Sequence, residues 1–142
     1  MVVIHRTFIL TLLGACAILT ANLSCSDAGT DPPPSGSGSS TVSFANQIQP
    51  IFNNFGCTNC HGSSGNLSLA ENQSHGNLVN KNAEADCTSL KRVLPGKADS
   101  SVLFKRVSSS DCGAQMPKGL APLSPANINL IRDWINQGAP NN

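Results

Sequence analysis

The chain has 142 residues, six of them cysteine, with a formal net charge of +1. This length allows one ordinary domain with tails, and the near-neutral charge excludes a protein that holds nucleic acid or another polyanion by bulk electrostatics. Only 4% of the residues are aromatic, so a domain of ~100 residues has a thin hydrophobic core. We therefore expect disulfides, a metal or a large cofactor to help hold it together.

The N-terminal segment, residues 1–24, has the pattern of an export signal. Arg6 is the only charged side chain ahead of an apolar run from Thr7 to Leu19, and a short basic stretch before such a run is typical of a secretory signal peptide. A transmembrane helix is the alternative, but spanning a bilayer requires ~20 apolar residues. The sequence therefore predicts export.

Polar residues begin directly after Cys25. A cysteine at the end of an export signal, followed by a polar tether, resembles a bacterial lipoprotein, which implies that the thiol is acylated and becomes the mature N-terminus. Cys16 follows the better cleavage motif, but cleavage there would leave the apolar residues 17–19 on the mature protein. We predict lipidation at Cys25, with Cys16 as the alternative, and a location in the periplasm, at the outer membrane or at the cell surface.

Residues 25–42 form the predicted linker. Proline, glycine and serine dominate it, and such a composition buries almost no surface and stays disordered. A flexible linker of ~17 residues spans roughly 20–25 Å on average. The folded domain is predicted to follow it, over residues 43–142, with the lipid as its only attachment to a membrane.

Residues 57–61 carry a C-x-x-C-H sequence, the signature of covalent haem attachment. Two thiols three positions apart on a helical turn, Cys57 and Cys60, can each add to one vinyl group of the porphyrin, and His61 is then placed to bind the iron. A structural zinc site usually needs a second close cysteine pair, and a thioredoxin-like motif needs a βαβ pattern. The sequence has neither, and a disulfide within the motif is the remaining alternative to one haem c.

The iron needs a ligand opposite His61. Met116 is the only methionine beyond the export signal and lies in a Gly/Pro-rich segment, where it has no apolar stripe to join. A thioether is a soft ligand that raises the haem potential. His75 is the other candidate, and its polar surroundings favour an ordinary solvent-facing histidine. We predict Met116, with His75 as the alternative.

Cys87 and Cys112 remain once the other cysteines are assigned. In an oxidising compartment they most simply pair as a disulfide, which would stabilise the domain by roughly 3.5 kcal/mol on the chain-entropy estimate. Metal ligation by these two thiols is the alternative.

Helical patterns flank the C-x-x-C-H segment. Before it, one apolar helix face comprises Phe44, Ile48, Ile51 and Phe55. Ser43 is the predicted N-cap. Pro50 lies inside this pattern and should kink the helix or split it in two, because proline has no N–H to donate.

The C-terminal segment predicts a second helix. Ser124 and Pro125 have the residue types of an N-cap and a first helical position, and Gly138 has that of the stop. The apolar stripe between them comprises Ile128, Ile131 and Ile135, with Leu130 and Trp134 beside it. A short middle helix is predicted with Asp99 as its cap and with an apolar face of Leu103, Phe104 and Val107. Strand alternation is nowhere sustained, which predicts an all-α domain.

Residues 43–140 resemble a monohaem cytochrome c domain of the short exported bacterial type. The pattern of that type runs Pro-Ile-Phe, Cys-x-x-Cys-His-Gly, Pro-Gly, Ser-x-Leu, Met-Pro, Trp-Ile and Gly-Ala. Its pieces occur here in the same order, at Pro50–Phe52, Cys57–Gly62, Pro95–Gly96, Ser101–Leu103, Met116–Pro117, Trp134–Ile135 and Gly138–Ala139.

The resemblance implies a small all-α fold around one covalent haem, with His61 and Met116 as axial ligands. It also implies that the first and last helices cross near the haem. Mitochondrial-type cytochromes have a glycine at that crossing on the first helix, whereas this chain has none between residues 41 and 55. Ala45 is the residue expected to serve there.

An electron carrier, not an enzyme, is the function that this resemblance implies. The iron between His61 and Met116 has no open position for a substrate, and the lipid on Cys25 would hold the domain near its redox partner proteins. Residues 91–118 contain six basic and two acidic residues; these form a solvated face with haem propionate partners, or a docking patch for an acidic redox partner. The alternative function is a haem-based sensor or binding module for a small ligand, in which Met116 leaves the iron.

Overall fold

The computed structural model describes residues 40–142. The predictions for residues 1–24, Cys16, Cys25 and most of the linker lie outside this part of the chain. The α-helices along it are α1 Gln49–Asn54, α2 Cys57–Cys60, α3 Ser74–Leu78, α4 Val102–Ser108 and α5 Pro125–Asn136. A π-helical turn, Phe44–Ile48, runs into α1, and 3-10 turns occupy Ser64–Asn66 and Ala98–Ser100. Within residues 40–142 there is no strand, only isolated bridges between single residues, so this part of the chain is helical as predicted.

The first helix begins at its predicted cap and changes pitch at its proline. The Ser43 hydroxyl accepts a hydrogen bond from the Asn46 amide at 3.2 Å. The amide of Gln49 donates to the carbonyl of Phe44, five residues back, which makes Phe44–Ile48 a π turn. Pro50 follows at once and has no N–H for the next helical bond. The predicted split therefore occurs as a widened turn just before the proline.

The last helix has the predicted ends and the predicted buried face. The Ser124 hydroxyl accepts from the Asn127 amide at 3.3 Å, and Pro125 occupies the first turn. The helix ends at Asn136, and Gly138 follows with φ +97°, a left-handed conformation that glycine adopts without strain. The fully buried residues of this face are Ile131, Trp134 and Ile135.

Two sequence predictions about these helices are wrong. Asp99 does not cap α4: it lies in the turn Ala98–Ser100, and Ser101 is the N-cap residue. The Ser101 hydroxyl is used in the preceding loop, where it accepts from the Leu94 amide at 2.9 Å and donates to the Lys97 carbonyl at 2.9 Å. The loop thus folds back on itself before α4 begins, which moves the helix start beyond Asp99.

Ala45 does not lie at the crossing of the first and last helices. It is exposed, and its amide donates to the Asn142 carbonyl at 2.9 Å. Phe44 makes the contact instead, with its ring centroid 5.2 Å from that of Trp134. A large aromatic side chain, not a small residue, therefore fills the space between the two helices.

The hydrophobic core joins the first helical segment to α5 and to the middle of the chain. Its least exposed large side chains are Trp134, Phe52, Ile48, Leu78, Ile131, Ile135 and Val93. The two ends of the domain are also hydrogen-bonded, because the Phe44 amide donates to Asn142 Oδ1 at 2.8 Å and the Val42 amide donates to Gln137 Oε1 at 2.7 Å. None of the helices in residues 40–142 has the length and apolar character needed to cross a bilayer.

Candidate functional site

A cavity of about 510 Å³ opens beside α2, and it brings together the residues of the predicted site. Cys57, Cys60, His61 and Met116 all line it. Much of the remaining wall is apolar and comes from every part of the domain: Phe52, Leu67, Leu69, Leu78, Leu103, Val107, Leu123 and Ile131. The volume falls in the range of small-molecule and cofactor sites.

The helix α2 is a single turn that positions both thiols. Gly56 precedes it with φ +71°, so the chain can turn sharply from α1 into α2. Cys57 is half-buried and Cys60 is exposed, and both are free cysteines. The alternative of a disulfide within the motif is therefore not realised, and the two thiols, at either end of this single turn, both line one cavity.

Burial raises the pKa of the Cys57 thiol, because the apolar surroundings disfavour the thiolate. The neighbouring Cys60 adds to this increase, and a backbone hydrogen bond opposes it. The Cys57 thiol is therefore less nucleophilic at neutral pH than an ordinary exposed cysteine thiol.

His61 has one ring nitrogen fixed and one available. Its Nδ1 lies 3.0 Å from the Ser64 carbonyl oxygen. Because a carbonyl can only accept, Nδ1 carries the proton in this hydrogen bond, and Nε2 of the neutral ring keeps its lone pair. Orientation of a ligating imidazole by a backbone carbonyl is the usual arrangement at metal centres. Nε2 is thus the atom through which His61 would hold a metal.

Met116 lies between α4 and α5, and backbone and side-chain hydrogen bonds hold its segment against α4. Its amide donates to the Arg106 carbonyl at 2.7 Å, and Gln115 Nε2 donates to the Val107 carbonyl at 3.1 Å. The Met116 side chain is half-buried at the cavity. The structure thus brings Met116 and His61 to one cavity although they are far apart in the sequence.

His75 lies elsewhere. Its Nε2 is 2.9 Å from the Ala139 carbonyl oxygen, and its ring packs 5.1 Å from that of Phe44 and 6.1 Å from that of Trp134, centroid to centroid. The prediction of a solvent-facing histidine is wrong, because this half-buried ring joins α3 to the C-terminal segment. His75 lines a separate surface crevice and not the cavity of His61.

Cys87 and Cys112 form the predicted disulfide, with their Cα atoms 5.6 Å apart. Cys112 is 1% exposed. The disulfide connects the segment before Lys91 to the start of the segment that carries Met116. Within residues 40–142, no three side chains of His, Cys, Asp or Glu come together as a metal-binding group.

Arg92 is a structural residue of the cavity wall that the sequence did not single out. It is 9% exposed, and its guanidinium donates to the carbonyls of Asn77, Gly65 and Asn66 at 3.0–3.2 Å. Glu84 lies 3.2 Å away and forms an ion pair with it. The amino-acid sequence does not show which backbone carbonyls an arginine will contact. This role of Arg92 becomes apparent only from its burial in the structure.

The basic stretch 91–118 is less available for docking than its composition indicates. Arg92 is paired with Glu84, and Arg106 with Asp86 at 2.6 Å. Both acids lie outside the stretch, so the count over residues 91–118 omits them. Lys91 also donates to Asn82 Oδ1 at 2.6 Å. The excess of positive charge therefore rests mainly on the lysines.

The residues around the cavity fit a covalently attached haem. Two free thiols, an imidazole with an available Nε2 and a thioether line one cavity, and much of its remaining wall is apolar. Covalent attachment needs the first pair, and axial ligation needs one imidazole and one further donor. Each requirement is met by a residue that lines this one cavity.

No protein-family model matches the chain, and no curated protein matches it. Among solved structures, the chain is similar to one from Kuenenia stuttgartiensis hydrazine synthase, with a TM-score of 0.48 and 21% sequence identity. The match covers 69% of this chain and 16% of the other, so the chain spans a small part of the length of that protein.

Proposed function

We propose that this protein is a c-type cytochrome that transfers single electrons through one haem attached to Cys57 and Cys60, with His61 and Met116 as axial ligands. The observation that carries the proposal is that all four residues line a single, largely apolar cavity. The haem would supply the ferric–ferrous couple. Neither the haem-attachment motif alone nor a lone methionine would support this function without that shared cavity.

The residues of the chain would set the chemistry of such a site. The Ser64 carbonyl holds Nδ1–H of His61, which orients the ring and makes Nε2 a better donor. The Met116 thioether is a soft, neutral ligand that favours the reduced metal. Apolar walls such as Phe52 and Ile131 disfavour the additional charge of the oxidised state. With both axial positions occupied, the site has no place for a substrate, so we propose a carrier and not an enzyme.

The N-terminal segment would determine where this carrier acts. An acylated Cys25 and the linker 25–42 would hold the domain at a membrane surface after export, in the periplasm or on the cell surface. Tethering raises the effective concentration of the domain near membrane-bound partners. Redox proteins are the proposed partners. Mass spectrometry of the mature N-terminus tests this part, and an unacylated terminus would contradict it.

The absorption spectrum of the holoprotein, produced with haem maturation machinery, tests the site. We expect a c-type spectrum and, in the ferric form, the charge-transfer band of iron–thioether ligation. Met116→Ala should remove that band, and His75→Ala, which alters the other candidate ligand, should keep it. Absence of covalent haem would refute the proposal, and a band that survives Met116→Ala would refute the assignment of Met116.

A second candidate function is a sensor or binding module for a small ligand. It is favoured by one observation: Met116 lies on the irregular segment between α4 and α5, and not on a helix. Such segments move more readily than helices. Tight binding of carbon monoxide by the ferrous wild-type protein would favour this function, and no binding would exclude it.

A further inference from the structure

The segment that carries Met116 is attached to α4 through Arg106. The Arg106 carbonyl accepts the Met116 amide at 2.7 Å, and its guanidinium Nη1 donates to the Ala114 carbonyl at 2.7 Å. One residue of α4 therefore holds the segment at two points on either side of Gln115. This arrangement fixes the backbone directly before the proposed ligand.

Arg106 is itself held by an acid from a distant part of the chain. Its Nη2 lies 2.6 Å from Asp86 Oδ2, so the planar guanidinium uses one nitrogen for Asp86 and the other for the Ala114 carbonyl. Asp86 precedes Cys87, whose disulfide partner Cys112 begins the same segment. The segment is therefore joined to residues 86–87 twice, once covalently and once through Arg106.

Gly113 shows how closely the segment passes this ion pair. A Cβ atom at this position would lie 2.7 Å from Arg106 Nη1 and would also collide with Asp86 Oδ2. Its φ of +91° is in the left-handed region as well. Any side chain here must displace the ion pair, the segment or both.

We propose that the Asp86–Arg106 ion pair is a positioning pair for Met116, which sets how firmly the thioether stays on the iron. The inference rests on the proposed function. The cavity is lined by both members of the pair and by Met116. Because the guanidinium holds the Ala114 carbonyl two residues before Met116, a shift of the pair would move the backbone that carries the ligand. The ion pair thus decides between a closed electron carrier and a site that admits an external ligand.

Competition with free imidazole on the ferric holoprotein tests the proposal. Arg106→Gln and Asp86→Asn should each raise the affinity for imidazole by about three- to tenfold, the range expected when a partly exposed charge-assisted hydrogen bond is lost. Because the two side chains act as one unit, the double variant should show little more than either single one. Arg132→Gln is the matched control, since Arg132 pairs with its neighbour Asp133 at 3.0 Å on the surface, and it should not change the affinity.

A pair of glycine variants separates the ion pair from general backbone strain. Gly113→Ala and Gly119→Ala both place alanine at a positive φ in the same segment, but only at Gly113 would the Cβ meet the ion pair, since nothing lies within 4 Å at Gly119. We expect Gly113→Ala to raise imidazole affinity and weaken the iron–thioether band, and Gly119→Ala to do so much less. Equal effects would attribute the result to strain and overturn the proposal.

Amide hydrogen exchange of Met116 in the ferrous holoprotein provides a readout that does not depend on added ligand. Its N–H should exchange faster in Arg106→Gln and Asp86→Asn, while that of Ile131 in the core should not. Thermal unfolding of each variant identifies any that fail to fold. Asp86→Asn is the mildest change, so it still tests the proposal if Arg106→Gln does not fold.

The failures of the two proposals differ. If the wild-type protein has no iron–thioether band, or keeps it in Met116→Ala, the proposed function is wrong. If that band behaves as expected and both charge variants bind imidazole as the wild type does, only the positioning pair is wrong. Opposite effects of Arg106→Gln and Asp86→Asn would also overturn it, because Arg106 would then serve another group in the cavity.

Discussion

Removal of the disulfide between Cys87 and Cys112 should destabilise the holoprotein by several kcal/mol. The disulfide closes a loop with a sequence separation of 25, and the chain-entropy estimate for such a loop is about 3.5 kcal/mol. Cys112 is also 1% exposed, so its replacement by alanine loses a buried sulfur, at about 1 kcal/mol. The double variant Cys87→Ala/Cys112→Ala should therefore lose about 4 to 5 kcal/mol of unfolding free energy.

Guanidinium unfolding of the ferrous holoprotein measures this loss. Trp134, the only tryptophan of the chain, reports the core by fluorescence, and far-ultraviolet circular dichroism reports the helices; coincident transitions justify a two-state analysis. Because the unfolded chain expands without the cross-link, the dependence on denaturant should become steeper. The wild-type protein treated with a thiol reductant is the control, since it keeps both sulfurs and should lose only about 3.5 kcal/mol.

A small effect would refute this reasoning. A loss below about 1 kcal/mol with an unchanged denaturant dependence would mean that the disulfide does not restrict the unfolded chain as the entropy estimate assumes. Equal losses in the reduced wild type and the alanine variant would instead show that the buried Cys112 sulfur contributes nothing by packing. The two comparisons thus test the loop closure and the burial separately.

Three further predictions concern single residues. Ser124→Ala should lower the unfolding free energy by about 1 kcal/mol, because the amide of Asn127 loses its cap; chemical denaturation measures it, and an unchanged midpoint would contradict the cap. Arg92→Lys should cost about 2 kcal/mol, since an ammonium cannot satisfy the same three carbonyls as the planar guanidinium, and stability equal to the wild type would contradict this role. In the haem-free chain, burial raises the pKa of Cys57 and shields its thiol, whereas Cys60 is exposed. Iodoacetamide should therefore modify Cys57 more slowly than Cys60. Equal rates, measured by peptide mass spectrometry, would contradict the burial of Cys57.

Local features of the fold could be predicted from the sequence. The caps Ser43 and Ser124, the disturbance before Pro50 and the stop at Gly138 each depend on the residue itself and on partners within a few positions. The C-x-x-C-H turn is local in the same sense. Met116 could be proposed because the chain offers few soft donors beyond the predicted export signal, not because anything in the sequence places it near His61.

The wrong predictions depend on contacts that the residue type and its immediate neighbours do not indicate. Asp99 has the right residue type for a cap, but Ser101 and the loop from Leu94 decide where α4 begins. His75 has polar neighbours in sequence, yet the aromatic rings of Phe44 and Trp134 surround it in space. Propensity and neighbouring residues contain no information on which distant surface a side chain will meet.

The arginines show most clearly why the cavity wall could not be predicted. In sequence, Arg92 and Arg106 belong to a basic stretch and suggest a surface that attracts acidic partners. In the structure both are directed to backbone carbonyls and to acids from residues 84–86. A domain with few aromatic residues has little apolar surface to fix its loops. Hydrogen bonds and ion pairs from the buried Arg92 and the partly buried Arg106 help to hold them. Composition alone would assign these two positive charges to recognition. In the structure they instead stabilise loops of the cavity that Met116 and His61 both line.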